Sequence, residues 1–302
     1  MEYIMENATI FPGQGEKKKL VIKDGKVEFI TGSVRLKRRI ACNMERFVMA
    51  PGKIMMDRSL LQLENEAFKE RLKSYQKIGC TTLLVICNVT KERKLPEEIN
   101  NALDKMKNSS LDFVIGVSVP MIKVTPGLVQ QCNKHLIPYI IAEPETEKDL
   151  QTVPWEWVQQ KIFPYNAVIA PDLHKLHLPE RKRILLEKQW KEISGRLTIP
   201  TNTTIPEMNE QIDFSLLKQI GIFPQKGRIL SKSDLDYNLF PLIESMAFEE
   251  DEKVIYHKRE PVYSVLRGQV MKSGEITYER PEFGQRLVIK RPGFFSTINK
   301  AY

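Results

Sequence analysis

Three carboxylates and two histidines follow apolar, strand-like runs, which are the places where α/β proteins often carry their chemistry. Asp57 and Glu143 each end such a run, and Asp172 follows another, with His174 and His177 a few residues further on. The carboxyl ends of parallel strands meet on one rim, so these side chains would lie near one another. Carboxylates and an imidazole can hold a divalent metal such as zinc, which lowers the pKa of a bound water. One hypothesis is therefore a hydrolytic site with a single metal.

The same residues have a simpler interpretation. Acids at strand ends often begin loops and cap the helices that follow, and Pro and Asp commonly punctuate turns. His174 and His177 are spaced i, i+3 around a predicted start of a loop and helix, and we interpret them as surface side chains. We favour this capping interpretation over a functional site.

The middle of the chain alternates apolar strands with amphipathic helices, a pattern that predicts parallel pairing and right-handed crossovers. The run at 48–59 is followed by predicted strands at 81–87, 112–119, 137–143 and 167–172, with 196–200 as a candidate sixth. A complete eight-stranded barrel takes roughly 250 residues. Only about 170 residues separate Pro51 from Gly221. We therefore predict an α/β protein with an incomplete, TIM-like β/α barrel.

Several stretches resemble a known family. Val48-Met-Ala-Pro-Gly-Lys-Ile-Met-Met-Asp-Arg-Ser59 is similar to the first barrel strand of the amidohydrolase superfamily, V-x-P-G-x-I-D-x-H-x-H. Gly221-Ile-Phe-Pro-Gln-Lys-Gly and Ser233-Asp-Leu-Asp resemble the G-L-Y-P-R-K-G and S-D-A-D elements of hydantoinases and dihydropyrimidinases. Residues 260–276 and 281–287 are similar to the closing strands of that family. The chain thus resembles a degenerate member of the dihydropyrimidinase, hydantoinase and dihydroorotase branch.

The resemblance implies two domains. Residues 1–50 and 225–302 would form one composite β-sandwich from both termini, and residues 51–224 would form the degenerate barrel. The residues support this division independently. Both ends are rich in short strands with glycine turns, such as the hairpin predicted at Asp24-Gly25, whereas the middle alternates helix and strand.

The metal ligands of the family are largely missing. Its members hold two metals with His-x-His on strand one, a carboxylated lysine on strand four, histidines on strands five and six, and an aspartate on strand eight. Asp57 and Ser59 stand at the His-x-His pair, and 137–143 contains no lysine. Asp172 matches the aspartate position, which serves as the proton acceptor in the family, so the resemblance makes Asp172 the catalytic candidate, with His174 close by. The resemblance therefore implies a pseudoenzyme without a binuclear centre or cofactor, which acts by binding or assembly. The alternative is a hydrolase of a cyclic amide or related C–N bond with the single metal site described above.

Composition sets the remaining bounds. The net charge of +8 permits nucleic-acid contact, but the basic residues are spread without interleaved aromatics or a DNA-binding pattern, so nucleic acid is not an expected partner. Cys42, Cys80, Cys87 and Cys132 lack metal-ligand spacing, and we interpret them as reduced thiols. No apolar run reaches the roughly 18 residues of a membrane span. The acidic N-terminus is unlike a secretory signal, so we expect a cytoplasmic protein.

A second copy of the chain is the expected partner, with a protein or a small molecule as further partners. In the family the last strands and the tail pack between subunits, and Phe283, Phe294, Phe295 and Tyr302 would make such a contact here. The Thr-rich stretch at 198–206 contains prolines and an asparagine, and we expect it to be an extended connector.

Overall fold

The computed structural model describes residues 2–13, 16–32, 40–242 and 259–294. Five strands come first: β1 (Glu2–Ile10), β2 (Lys17–Lys23), β3 (Lys26–Thr31), β4 (Ile40–Asn43) and β5 (Phe47–Pro51). β2 and β3 form the predicted hairpin, in which Asp24 and Gly25 have φ values of 49° and 73°. Glycine adopts this left-handed conformation at little steric cost, which explains its place in the turn.

The middle of the chain alternates strands and helices as predicted. Its elements are β6 (Lys53–Asp57), α1 (Asn65–Lys77), β7 (Cys80–Asn88), α2 (Leu95–Met106), β8 (Asp112–Pro120), α3 (Pro126–Lys134), β9 (Tyr139–Glu143), α4 (Asp149–Thr152), α5 (Trp155–Ile162), β10 (Val168–Pro171), α6 (Glu180–Arg196) and α7 (Phe214–Ile220). Strands β6 to β10 pair in chain order, all in parallel, in a five-stranded sheet. The predicted incomplete barrel is confirmed as a parallel half-barrel. The candidate sixth strand is wrong, because α6 continues to Arg196 and Thr198 has a left-handed φ of 52°.

Both faces of the half-barrel are covered, which explains why its strands are almost continuously apolar. The outer face packs against α1, α2, α3, α5 and α6 in the largest apolar cluster of the protein. The inner face packs against α7 and a carboxyl-terminal segment, in a second cluster that includes Leu216, Leu217, Ile220, Leu287 and Ile289. These side chains fill the concave side, where further barrel strands would otherwise stand.

The segment between α6 and α7 meets both free edges of the half-barrel. At the β10 edge, Ile169 N donates to Pro200 O at 2.9 Å, and Thr201 Oγ1 donates to Ile169 O at 2.6 Å. At the β6 edge, Ile212 N donates to Ile54 O at 2.8 Å. The expected connector therefore crosses the open side of the half-barrel from one edge strand to the other.

The carboxyl-terminal strands join the amino-terminal ones in a single sheet. They are β11 (Tyr237–Pro241), β12 (Tyr263–Leu266), β13 (Gln269–Ser273) and β14 (Ile276–Thr277). Antiparallel pairing of β11 with β5 links the two ends of the chain in one nine-stranded sheet. Leu20, Val27, Leu239 and Val265 share one apolar cluster, so the sheet bends around its own core. The resemblance implied a sandwich, whereas the described strands form one continuous sheet. No helix among the described residues is both long and apolar enough to cross a membrane.

Candidate functional site

Alternate residues of each barrel strand point to the inner face. In β6 these are Ile54 and Met56, which belong to the inner apolar cluster, so Arg58 is the next residue on that side. The same alternation brings three more polar residues to the inner side, at the carboxyl ends of β8, β9 and β10: Ser118, Glu143 and Asp172. The rim therefore carries a basic residue among its acids.

Arg58 joins the two acids. Its Nη1 lies 2.6 Å from Asp172 Oδ2, and its Nη2 contacts Glu143 Oε1. Glu143 is held further by Ser118 Oγ, which donates to Oε1 at 2.5 Å, and by Lys175 Nζ, 2.5 Å from Oε2. The side chains of Glu143 and Asp172 are only 19% and 10% exposed, and that of Arg58 is 36% exposed. We call this network the rim cluster; its members are Arg58, Glu143, Asp172, Ser118 and Lys175.

The rim cluster favours the charged forms of Glu143 and Arg58. Burial alone would raise the pKa of Glu143, but hydrogen bonds from Lys175 and Ser118 and the charge of Arg58 outweigh it, and the pKa lies below its ordinary value. Burial opposes the charge of Arg58 in the same way. The two carboxylates more than compensate, and the pKa of Arg58 is raised. Both groups are therefore fully charged at neutral pH.

Asp57 faces the opposite side of the sheet, although the sequence placed it with the other acids. Its Oδ1 accepts hydrogen bonds from Ser59 N at 2.7 Å and Leu60 N at 2.8 Å, at the start of a short helical turn. Tyr75 OH on α1 donates to Oδ2 at 2.9 Å. Burial, followed by the charge of Asp57, raises the pKa of Tyr75. Asp57 thus caps a turn, in agreement with the simpler interpretation, and does not converge with Glu143.

The two histidines lie beyond the rim on the surface. His174 is exposed, and its Nδ1 lies 3.3 Å from Arg183 Nη1. His177 is also exposed and has a left-handed φ of 48° at the end of the turn Leu173–Leu176. Of the five residues predicted from the sequence, the structure joins Glu143 and Asp172 through Arg58. The functional roles of all five stay predictions.

Sequence reasoning missed Arg58, Ser118 and Lys175, because the search was restricted to metal ligands. It also missed Tyr139, whose hydroxyl is buried among the inner side chains and has no hydrogen-bond partner in the described ranges. Burial raises the pKa of Tyr139, and the nearby charges of Arg58 and Asp172 act on it in opposite directions. The signal for Tyr139 was its spacing, because it precedes Glu143 by four residues on the same strand face.

The residues present do not fit the binuclear metal centre of the family that the sequence resembles. No three His, Cys, Asp or Glu side chains come together in a way that could hold an ion within residues 2–13, 16–32, 40–242 and 259–294. The acids of the rim already bind cationic side chains, and β9 (Tyr139–Glu143) has no lysine that could be carboxylated.

A second charge cluster lies at the beginning of the barrel strands, and it contains the residues of the G-x-x-P-x-K-G resemblance. Lys226 Nζ lies 2.8 Å from Asp112 Oδ2 and 3.3 Å from Asp234 Oδ2, and it also contacts Asp236 Oδ2. Arg267 Nη2 lies 3.2 Å from Asp112 Oδ1. Lys226 and the three acids are at most 5% exposed. This cluster connects β8 of the half-barrel to the nine-stranded sheet and is structural.

Solved structures of known proteins are similar to this chain across almost its whole length. A D-hydantoinase is 14% identical with a TM-score of 0.65, covering 97% of this chain and 99% of its own. The L-hydantoinase (dihydropyrimidinase) of Arthrobacter aurescens is 13% identical with a TM-score of 0.63, covering 95% and 100%. A dihydropyrimidinase of Brevibacillus agri is 12% identical with a TM-score of 0.60, covering 97% and 99%. No protein-family model and no curated protein matches the chain. At these identities the similarity shows the fold alone: this chain shares the fold of the hydantoinases, with a parallel half-barrel.

Proposed function

We propose that this protein is an amidohydrolase-like pseudoenzyme, which has lost the binuclear metal centre and acts by binding or assembly. The observation that carries the proposal is the position of Arg58 between Glu143 and Asp172 on the barrel rim. A guanidinium with two carboxylates supplies the positive charge that a metal ion would otherwise supply at these strand ends. Because arginine stays protonated at any ordinary pH, this charge cannot activate a water as a bound metal does.

The filled interior supports the same proposal. In a complete barrel the strands' own side chains fill the interior. Here the concave face is packed by α7 and by the segment containing Leu287 and Ile289. Such packing makes the half-barrel a rigid scaffold, which suits a protein that acts by binding other molecules through its surface.

Two measurements on the purified protein test the loss of the metal centre. Elemental analysis should find no stoichiometric transition metal, and hydrolysis of hydantoin and dihydrouracil should not exceed the buffer rate, even with added zinc. Stoichiometric zinc that disappears on Asp172→Ala, but stays on Asp104→Ala at an exposed acid, would contradict the proposal. That outcome would favour the alternative, a hydrolase of a cyclic amide or related C–N bond with a rebuilt single-metal site.

Assembly is the second part of the proposal, with a homo-oligomer as its expected form. Phe294 is 66% exposed and is available for a contact between copies, whereas the ring of Phe283 packs under the guanidinium of Arg267 at 4.4 Å. Phe295 and Tyr302 lie outside the described residues. Light scattering at micromolar concentration should give a mass above that of one chain, and a monomer there would count against assembly.

A further inference from the structure

A cleft of about 1010 Å³ lies along the free edge of β6, near the beginning of the barrel strands. It is bounded by α1, by β5 and β11 of the nine-stranded sheet, and by the residues on either side of the start of α7. The rim cluster lies at the other end of β6, roughly 16 Å away at 3.3 Å per residue. The cleft has the size of a site for a small organic molecule. Its lining includes two acids, Glu210 and Asp213, and a larger group of cationic and aromatic side chains: Lys53, Arg71, Arg228, Phe11, Phe214 and Phe240.

Arg228 is half-buried in this cleft. Its guanidinium carbon lies 4.4 Å from the centre of the Phe214 ring, on which it stacks. No carboxylate of the described residues forms an ion pair with it, and burial alone lowers its pKa. A guanidinium withdrawn from water without an acidic partner is costly, and an anionic ligand would remove that cost.

Arg71 lines the same cleft from α1. Its Nη1 contacts only the sulfur of Met208, at 3.3 Å, and none of the acids in the described ranges pairs with it. Asp213, an acid that lines the same cleft, caps α7 by accepting a hydrogen bond from Ser215 N at 3.0 Å. Two half-buried guanidinium groups therefore line one cleft with their hydrogen-bonding capacity largely unused.

We propose that this cleft binds a small organic anion, in which a carboxylate, sulfonate or phosphate group is joined to an aromatic body. Arg71 and Arg228 hold the oxyanion, because guanidinium groups donate paired hydrogen bonds to such groups. The Phe11, Phe214 and Phe240 rings supply apolar contact for the body of the ligand. This site is separate from the rim cluster and gives the protein a ligand in addition to its proposed assembly role.

The test uses two fluorescent probes that differ in charge. Anilinonaphthalene sulfonate is an aromatic anion, and Nile red is an uncharged aromatic dye. The anionic probe should bind the wild-type protein at one site per chain, and Arg228→Gln or Arg71→Gln should each raise its Kd about tenfold, the effect of losing a hydrogen bond to a charged group. Arg228→Lys should have an intermediate effect, because it keeps the charge and loses the stacking. Arg196→Gln, at an exposed arginine on α6, is the matched control and should leave the Kd unchanged.

Binding of the uncharged dye distinguishes a site that is specific for anions from a general apolar patch. If the proposal is right, both glutamine variants bind Nile red as the wild type does, and circular dichroism shows that they are folded. The proposal is overturned if the wild type does not bind the anionic probe, or if neither variant weakens the binding of that probe. It is also overturned if the folded variants lose binding of both probes equally.

Discussion

Replacing Arg58 by methionine removes the positive charge of the rim cluster and keeps most of the apolar stem of the side chain. The change leaves Asp172 without the ion pair that Arg58 provides, at 10% exposure. Glu143 keeps its contacts with Ser118 and Lys175. We therefore expect Arg58→Met to destabilise the protein, with Asp172 as the main origin of the loss.

The magnitude follows from the burial of the groups. Breaking a fully buried ion pair costs about 3–5 kcal/mol, whereas a fully exposed pair contributes at most about 1 kcal/mol. The carboxylates lie near the buried limit, but Arg58 is 36% exposed, so water can reach the site and screen it. We expect Arg58→Met to lower the free energy of unfolding at pH 7 by about 2–3 kcal/mol, between these limits.

Urea unfolding at several pH values is the assay. The pKa of Glu143 is lowered in the folded protein, so its stabilising contribution is complete above the ordinary value of 4.5 and is lost as the pH falls through the lowered pKa. Arg58 supplies part of this lowering, so that part of the difference in unfolding free energy between wild type and Arg58→Met should be constant near neutral pH and should narrow in acid. Arg196→Met is the matched control, because Arg196 and Glu156 form an exposed pair, and it should cost less than about 0.5 kcal/mol.

A triple variant decides whether charge is the cause. Arg58→Met combined with Glu143→Gln and Asp172→Asn should recover stability to within about 1 kcal/mol of wild type, because no buried charge is left unpaired. An unchanged stability in Arg58→Met, or a loss that the triple variant does not recover, would refute the electrostatic reasoning.

Three further outcomes are expected. Lys226→Met should cost about 3–5 kcal/mol in urea unfolding, because it removes the ion pair of the buried Asp236 and one of the two ion pairs of Asp112, and adding Asp236→Asn should recover part of this loss. Gly52→Ala should lower the melting temperature and the free energy of unfolding, the latter by roughly 1–3 kcal/mol, because the new Cβ would lie 2.3 Å from Oγ1 of the buried Thr81. If adding Thr81→Ala does not relieve this loss, the clash is not its cause. Arg58→Met should leave the oligomeric mass in light scattering unchanged if the rim cluster lies outside the interface, and a change in mass would place the rim in it.

The half-barrel could be predicted from the sequence because its strands are nearly uninterrupted apolar runs separated by amphipathic helices. The count of five or six strands came from these runs, and the length of the chain indicated that the barrel is incomplete. Because these strands are apolar on both faces, the sequence does not indicate which face each residue occupies. Ile54-Met55-Met56 shows no alternation of polar and apolar residues, so alignment on Pro51 and Gly52 turned Asp57 inward, whereas the inward residue is Arg58. A shift of one residue exchanges the two faces of a strand.

The Lys226 cluster shows a second limit of sequence reasoning. Lys226 and Asp112 are 114 positions apart, and nothing local to either residue indicates the partner. The pair forms because β8 and the segment before β11 meet where the half-barrel packs against the nine-stranded sheet. Local patterns predict elements, whereas buried ion pairs across domains depend on how the elements pack.

The segment that crosses the open side of the half-barrel has a consequence for the solution behaviour of the protein. An edge strand with unused backbone groups is a template on which another molecule can add a strand and start a fibril. The bonds from Pro200 and Thr201 to β10, and from Ile212 to β6, occupy some of these groups on both edges. We therefore expect a protease cut within this crossing to weaken the cover of both edges and to make the nicked protein more prone to aggregation by strand addition.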